Sequence, residues 1–203
     1  NLPKEYSKYS PEYLLSNGCF NHNPKVFYTF YKKMMDVREY EPNVVHNYLA
    51  KLEEEGKCLG IVTQNIDTLH EKAGSKKLFK IHGTIDKNHC IKCGKEYDIN
   101  YIFDSTEVIP RCSCGRENCF VRPNVVLYEE NLPKDAMNGA MDIIERADCL
   151  IISGTSLTVQ PAASLVSYTS AKYIVIVNRE PTSYDTFADV VFREDMNDVF
   201  SRL

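Results

Sequence analysis

The chain of 203 residues is 43% hydrophobic and 26% charged, which is typical of a folded protein with one core and a small added module. Its net charge of −4 argues against a protein whose main task is to bind the nucleic-acid backbone. We see neither an apolar run near the roughly 20 residues of a membrane span nor a signal-peptide pattern, so we expect a soluble, cytoplasmic protein.

Apolar residues at helical spacing predict three long helices, over residues 24–35, 42–56 and 135–147. We expect Pro42 at the first position of the second helix and Gly56 at its end. The first helix carries a stripe of residues that we expect in the core, namely Val26, Phe27, Phe30, Tyr31 and Met34.

Short apolar runs rich in β-branched residues predict five strands, at residues 58–62, 78–81, 149–153, 173–177 and, more weakly, 190–192. Residues 197–200 fit a short closing helix. Helices and strands that alternate in this way are typical of a doubly wound α/β fold with a parallel sheet. Residues 86–122 break the alternation with glycines, cysteines and charges, and we interpret them as an inserted module.

Five of the eight cysteines lie between Cys90 and Cys119, a clustering that favours a metal site over disulfides. Cys90 and Cys93 form one pair, and Cys112 and Cys114 form the second. Four thiolates suit a tetrahedral zinc ion, and such a site is structural because it leaves no position open for substrate. For the fourth ligand we favour Cys114, and Cys119 remains the alternative.

Polar residues follow four of the predicted strands, at the sheet edge where parallel α/β proteins bind ligands. These residues are Gln64, Asn65, Asp67, His82, Gly154, Thr155, Ser156 and Asn178. Glycine and hydroxyl residues after a strand also serve as ordinary turns and caps, so residues 154–156 carry little weight alone. A lone histidine is more often a packed core residue, but imidazole changes protonation near neutral pH, which makes His82 the best candidate for a general base. Together the four clusters predict a crevice of the size of a dinucleotide.

One set of motifs runs through nearly the whole chain. In chain order it comprises Thr63-Gln64-Asn65-Ile66-Asp67, Leu69-His70, Gly74, His82-Gly83, the two cysteine pairs, Arg122-Pro123-Asn124-Val125-Val126, Gly154-Thr155-Ser156-Leu157, Val159, Pro161 and Asn178. This set closely resembles the sirtuins, which are NAD-dependent protein lysine deacylases. The resemblance implies that the acyl-lysine carbonyl oxygen attacks the ribose C1′ carbon of NAD, and that nicotinamide and an O-acyl-ADP-ribose are released.

The resemblance also implies a role for each matching residue. His82 would be the general base, and Asn65 would be the second catalytic residue. The residues expected to bind NAD are Gln64, Asn65, Ile66, Asp67, Gly154, Thr155, Ser156, Asn178 and Asp195. Zinc would bind Cys90, Cys93, Cys112 and Cys114, and the acyl-lysine segment would lie along Val125, Val126 and Leu127. We expect acyl-lysine proteins as partners, and neither a membrane nor direct nucleic-acid readout.

The expected fold is a Rossmann-like doubly wound parallel sheet with a small inserted zinc-ribbon and helical module. We predict a Rossmann-like NAD-binding domain from residues 36–85 and 123–203. Residues 1–35 would be the helical part of a small domain, and residues 86–122 would be its zinc-binding module.

Two features depart from the sirtuin pattern, and a third residue bears on the choice of acyl group. The family's first strand and Gly-Ala-Gly-type loop have no counterpart, and we expect the natural protein to carry a preceding segment that supplies them. Tyr128-Glu129-Glu130 stands where most sirtuins have Phe-Gly-Glu. Met34 stands where desuccinylating members carry an arginine three residues after the tyrosine that matches Tyr31, so we expect acetyl or another neutral acyl group as the substrate.

Two other functions compete with deacylation. A mono-ADP-ribosyltransferase would use the same activation of NAD, but an intact His82 favours deacylation because acyl migration needs a base. A non-enzymatic zinc-ribbon binding module would explain the cysteines and leave the four polar strand ends without a purpose.

Overall fold

A computed structural model describes residues 4–203, so the first three residues of the predicted helical segment 1–35 lie outside the described part. The α-helices are α1 (Pro11–Leu14), α2 (Asn17–His22), α3 (Pro24–Met34), α4 (Val44–Glu54), α5 (Leu69–Lys72), α6 (Ile99–Phe103), α7 (Lys134–Arg146) and α8 (Met196–Phe200). The strands are β1 (Ile61–Thr63), β2 (Leu78–Lys80), β3 (Gly83–Cys90), β4 (Glu96–Asp98), β5 (Val121–Val125), β6 (Cys149–Ser153), β7 (Tyr173–Val177) and β8 (Val190–Phe192). Within residues 4–203, we find no helix with both the length and the apolar character needed to cross a bilayer.

The chain folds into two compact units, each assembled from three separate segments. The first unit, which we call the small unit, contains the residues up to Tyr40, Asn65–Thr68 and His82–Asn131. The second, the large unit, contains Glu41–Gln64, Leu69–Ile81 and Leu132–Leu203. The sequence-based domain boundaries at residues 36, 86 and 123 remain predictions.

The large unit contains the parallel strands. β1 pairs with β2, and β6, β7 and β8 form a second sheet in that order, with all of these pairs parallel. These pairings confirm the predicted α/β class with parallel strands. Among the described residues, these parallel strands form one sheet of two strands and another of three, whereas the sequence pattern predicted a single parallel sheet.

Helices pack on the strands of the large unit through their apolar faces, which lie where the sequence pattern predicted them. Ala140 and Ile144 of α7 are buried against Ile81, which follows β2. On α4, Val45 packs with Val177 at the end of β7. Burying each aliphatic side chain of this kind contributes roughly 1.5 to 3 kcal/mol before conformational entropy is counted.

Two sequence predictions for the large unit need correction. Pro42 does not begin α4, because Asn43 is the N-cap and its side chain accepts hydrogen bonds from Val45 N and His46 N. The first strand begins at Ile61, whose N–H donates to Lys77 O, and not at Cys58. The segment that follows Gly154, Thr155 and Ser156 forms a short 3-10 helix, Ala162–Tyr168.

The small unit combines the N-terminal helices with an antiparallel sheet in the order β4, β3, β5. Its core includes Phe27 and Tyr31 of α3, both fully buried. Two details of the predicted stripe are wrong: Met34 is 41% exposed, and Tyr28, which lies outside the stripe, is fully buried. The Tyr28 hydroxyl donates to Val121 O at 2.8 Å, which fixes α3 to β5 and explains how a polar ring is accommodated in the core.

Candidate active site and metal centre

Four cysteine side chains of the small unit come together as the sequence spacing predicted. The Sγ atoms of Cys90, Cys93, Cys112 and Cys114 all lie within 4.8 Å of one another. The Cys93–Cys112 and Cys90–Cys114 sulfur distances are 3.6 and 4.0 Å. A tetrahedral zinc ion with bonds of about 2.3 Å would hold its sulfurs roughly 3.8 Å apart. All four thiols are free, so both the distances and the donor atoms fit zinc and not disulfides.

The surroundings of Cys119 differ from those of the four clustered cysteines, as a comparison with Cys112 shows. The Tyr97 hydroxyl donates to Cys112 Sγ at 3.0 Å and lowers the pKa of this thiol to about 6. Cys119 Sγ is instead buried in the core of the small unit and donates to Cys112 O at 3.1 Å. Cys119 therefore packs in the core of the small unit, and its sulfur is not one of the four that cluster within 4.8 Å.

We expect Cys114→Ser to remove most of the bound zinc, whereas Cys119→Ser should retain about one ion per chain, because only the first change takes away a thiolate of the tetrahedral set. Metal content of the purified variants, measured by elemental analysis beside the unchanged protein, checks this. Full zinc in Cys114→Ser together with loss in Cys119→Ser would reverse the ligand assignment.

His82 lies half-buried in the turn between β2 and β3, and its backbone is held by the neighbouring strand. Its carbonyl oxygen accepts from Val126 N at 2.8 Å. The next residue, Gly83, has φ +75°, and a Cβ at this position would lie 2.1 Å from Asn124 O. Only glycine fits here, since the close approach of the two strands and the left-handed backbone both exclude a side chain.

The residues that follow β1 divide between the two units. Gln64 belongs to the large unit, whereas Asn65, Ile66 and Asp67 belong to the small unit. Ile66 is anchored there, since its carbonyl accepts from Ile85 N at 3.0 Å and its side chain packs against the core of the small unit. The small unit thus carries both predicted catalytic residues, Asn65 and His82.

The predicted substrate segment continues directly from β5. Val125 and Leu127 are buried, and Val126 between them is half-buried. Because Val126 N bonds to the carbonyl of His82, the predicted substrate segment and the predicted general base share one hydrogen-bonded frame. The roles of His82 and of residues 125–127 remain predictions, but the structure does place them next to each other.

In the large unit, two of the predicted NAD-binding positions are in direct contact. Gln64 Nε2 donates to Thr155 Oγ1 at 3.3 Å, which joins the residue after β1 to the cluster after β6. Gly154 has φ +64° and its N–H donates to Val177 O at 3.0 Å. The Ser156 hydroxyl lies 2.8 Å from that of Thr158. Hydroxyl and amide groups of this kind suit the phosphates and ribose hydroxyls of a dinucleotide.

Asn178 and Asp195, the other two positions predicted to bind NAD, also lie in the large unit. Asn178 N donates to Phe192 O at 3.0 Å, and its side-chain amide donates to Glu180 O at 2.8 Å. The Asp195 carboxylate caps α8 by accepting from Asn197 N at 2.8 Å, and it pairs with Arg179. Asp195 is therefore already engaged by the protein through its carboxylate.

Comparison with known proteins gives a consistent result. The model of the Sir2 family matches residues 3–161. An NAD-dependent protein deacetylase of Clostridium tetani is 43% identical over 97% of this chain and 78% of its own length. A solved Sir2 bound to acetylated peptide has a TM-score of 0.89 and 36% identity, with 96% of this chain and 83% of that one covered. Another Sir2 structure, with a deacetylated p53 peptide and 3′-O-acetyl-ADP-ribose, also has a TM-score of 0.89 and 36% identity, over 97% and 81% of the two chains.

This chain belongs to the Sir2 family. The expected resemblance to the sirtuins is thereby confirmed, as is the α/β fold. Within this Sir2 chain, Glu129 occupies the position where the family resemblance led us to expect glycine. Its φ is +75°, so the backbone keeps a conformation that favours glycine although the side chain is present.

Two contacts near the candidate site of this Sir2 protein were not predicted from the sequence. Met196 lies against Gly154, since a Cβ at this glycine would be only 2.5 Å from Met196 Cε. Glu130 accepts hydrogen bonds from Leu127 N at 3.0 Å and from Asn17 at 2.8 Å, and it also pairs with Arg122. For the second contact, the sequence indicated only that Glu130 lies three residues after the end of the predicted substrate segment.

Proposed function

We propose that this Sir2 protein removes acetyl and other neutral acyl groups from protein lysine side chains, and that it consumes NAD as it does so. The products are the free lysine, nicotinamide and an O-acyl-ADP-ribose. The observation that carries the proposal is the 43% identity over 97% of this chain to a protein named NAD-dependent protein deacetylase. The chain retains His82 beside Val126, as this chemistry requires.

NAD fits the residues of the large unit by their chemistry. The Gly154 backbone and the Thr155 and Ser156 hydroxyls would meet its phosphates and ribose, and Asn178 would meet the adenosine ribose. Residues around Asp195 would meet the adenine. When bound, NAD supplies an electrophilic ribose carbon and a hydroxyl that receives the acyl group.

The side chains that follow β1 and β2 bind the nicotinamide end and transfer the proton. Gln64, Asn65 and Asp67 hold the nicotinamide end with their amide and carboxylate groups, and Ile66 orients this segment through its anchored backbone. His82 takes a proton from a ribose hydroxyl at its imidazole, which allows the acyl group to migrate. Val125, Val126 and Leu127 bind the peptide and exclude water from the acyl-lysine.

The proposed division of labour follows the domain boundaries predicted from the sequence. Residues 36–85 and 123–203 form the NAD-binding domain, residues 1–35 the helical part of the small domain, and residues 86–122 the zinc module, which has a structural role. Eight free cysteines suit a reducing compartment, which supports action in the cytoplasm. The acidic net charge of −4 supports protein substrates without direct nucleic-acid readout.

Mass spectrometry of the products tests the proposed reaction. The full chain is incubated with NAD and an acetyl-lysine peptide, and we expect deacetylated peptide, nicotinamide and O-acetyl-ADP-ribose in equal amounts. ADP-ribose attached to protein without any O-acyl product would instead establish a mono-ADP-ribosyltransferase. A zinc-containing protein that never turns over NAD would leave only a binding module.

Acyl preference provides a second test. We expect kcat/KM for an acetyl peptide to exceed that for a succinyl peptide by at least about tenfold, because Met34 offers no guanidinium to a carboxylate. Burial raises the pKa of the Tyr31 hydroxyl, which therefore stays neutral. Met34→Arg should raise the succinyl rate, and Met34→Lys, which is cationic without the bidentate fork, should raise it less. Faster succinyl than acetyl cleavage by the unchanged protein would overturn the preference.

A further inference from the structure

The turn Leu127–Glu130 follows the predicted substrate segment and is tied to the chain just before and within α2. Glu130 N donates to Leu127 O at 3.1 Å and closes the turn. Tyr128 N donates to Leu15 O, and Tyr128 O accepts from Asn17 N, both at 3.0 Å. These two backbone bonds form a parallel bridge between Tyr128 and Ser16. The turn is thus fixed on its outer side by a segment remote in sequence.

Glu129 occupies the exposed end of this turn in a strained backbone conformation. Its φ of +75° lies in the left-handed region, which residues with a Cβ rarely adopt. Its carboxylate Oε2 accepts from Gly18 N at 2.8 Å. Because an ionised acceptor forms a stronger hydrogen bond than a neutral one, this contact offsets the strain and holds the turn in place.

The partner position is shaped to receive this carboxylate. A Cβ at Gly18 would lie 3.2 Å from Glu129 Oε2, closer than ordinary van der Waals contact, so the absence of a side chain lets the carboxylate reach the backbone N–H. Glu130 holds the same turn through Leu127 N and the Asn17 side chain. The two adjacent carboxylates therefore accept hydrogen bonds from different groups, and only that of Glu129 contacts Gly18 N.

The turn directly follows Val126, whose hydrogen bond links the predicted substrate segment to the predicted general base His82. Leu127, its first residue, is buried, and Val126 before it donates to the carbonyl of His82 at 2.8 Å. We propose that Glu129 is a positioning residue for the acyl-lysine peptide, which holds the turn and thereby keeps residues 125–127 in the shape that the peptide needs. This inference rests on the proposed deacylase function. Glu129 acts through the Gly18 backbone and takes no part in the chemical step.

Three substitutions separate the hydrogen bond from the backbone strain. Glu129→Gln keeps an acceptor of the same length, which weakens the hydrogen bond to Gly18 N without removing it, so its peptide KM should stay within about twofold of the parent value. Glu129→Ala keeps the strain without the anchor and should raise the peptide KM by about fivefold to tenfold. Glu129→Gly loses the anchor but relieves the strain, so its KM should fall between the two.

Two further measurements separate positioning from a general loss of structure. In Glu129→Ala, kcat and the KM for NAD should stay within about twofold of the parent values, whereas amide hydrogen exchange at Tyr128 and Glu130 should accelerate. A peptide KM in Glu129→Ala within twofold of the parent value would overturn the inference, as would a parallel rise in the KM for NAD. If the parent protein neither binds nor deacylates an acetyl-lysine peptide, the proposed function fails and this inference fails with it.

Discussion

Replacing His82 by alanine is expected to lower kcat for deacetylation by about a thousandfold, while the KM for NAD changes by less than about threefold. Removing a positioned general base typically costs a factor of about 10² to 10⁴ in rate. The cofactor should still bind, because the groups proposed to hold its phosphates and ribose remain in place. Steady-state rates with an acetyl-lysine peptide measure the effect, and the thermal midpoint Tm confirms that the variant is folded.

His22→Ala is the matched control for this experiment. His22 lies exposed at the end of α2, and its imidazole Nδ1 is 2.9 Å from Gly18 O. Its loss should leave kcat within about twofold of the parent value, since no reacting group depends on it. A His82→Ala variant that retained more than about a tenth of the parent kcat would show that another group takes the proton.

Gly83→Ala is expected to be the most destabilising of the single substitutions considered for this chain. The added Cβ would lie 2.1 Å from Asn124 O, which is backbone and cannot simply rotate away, and the residue must also keep φ +75°. We expect a loss of about 3 kcal/mol in the free energy of unfolding. For a chain of 203 residues this corresponds to a fall in Tm of roughly 6 to 12 °C.

Gly56→Ala separates crowding from backbone strain. Gly56 has φ +70°, nearly the same as Gly83, but a Cβ there would meet nothing within 4 Å. It should therefore cost only about 1 to 2 kcal/mol, the strain of the left-handed conformation alone. Equal losses in the two variants would contradict the steric explanation. Deacetylation by the folded fraction of Gly83→Ala should also fall, because the turn that carries His82 has to move.

Much of the large unit could be predicted from the sequence because its strands are dense runs of β-branched residues. The ends of β6, β7 and β8 agree with the sequence pattern to the residue. The start of β1 was wrong because strand pairing begins only at Ile61, and the apolar residues before it look the same in the sequence. Asn43 is a strong capping residue, and its position before the apolar pattern could have corrected the start of α4.

The metal centre was predictable for a different reason, since ligand type and spacing impose it locally. The choice of Cys114 over Cys119 rested on the glycine that follows each knuckle, and the sulfur positions agree with that choice. Contacts that depend on long-range packing could not be read from the sequence. Gly18 and Glu129 are 111 residues apart in the chain, and nothing in either local pattern indicates that they meet.

Because each unit is assembled from three interleaved segments, neither unit can be completed from one continuous stretch of the chain. The small unit cannot be complete until Asn131 has emerged from the ribosome, and the large unit still needs Leu132–Leu203 at that point. The segment Glu41–Gln64 is made early, and Val45 on its apolar face stays uncovered until Val177 and Phe200, with which it packs, have been made. Neither unit could be obtained by shortening the gene at one end, so exchanging a unit between relatives would require several junctions at once.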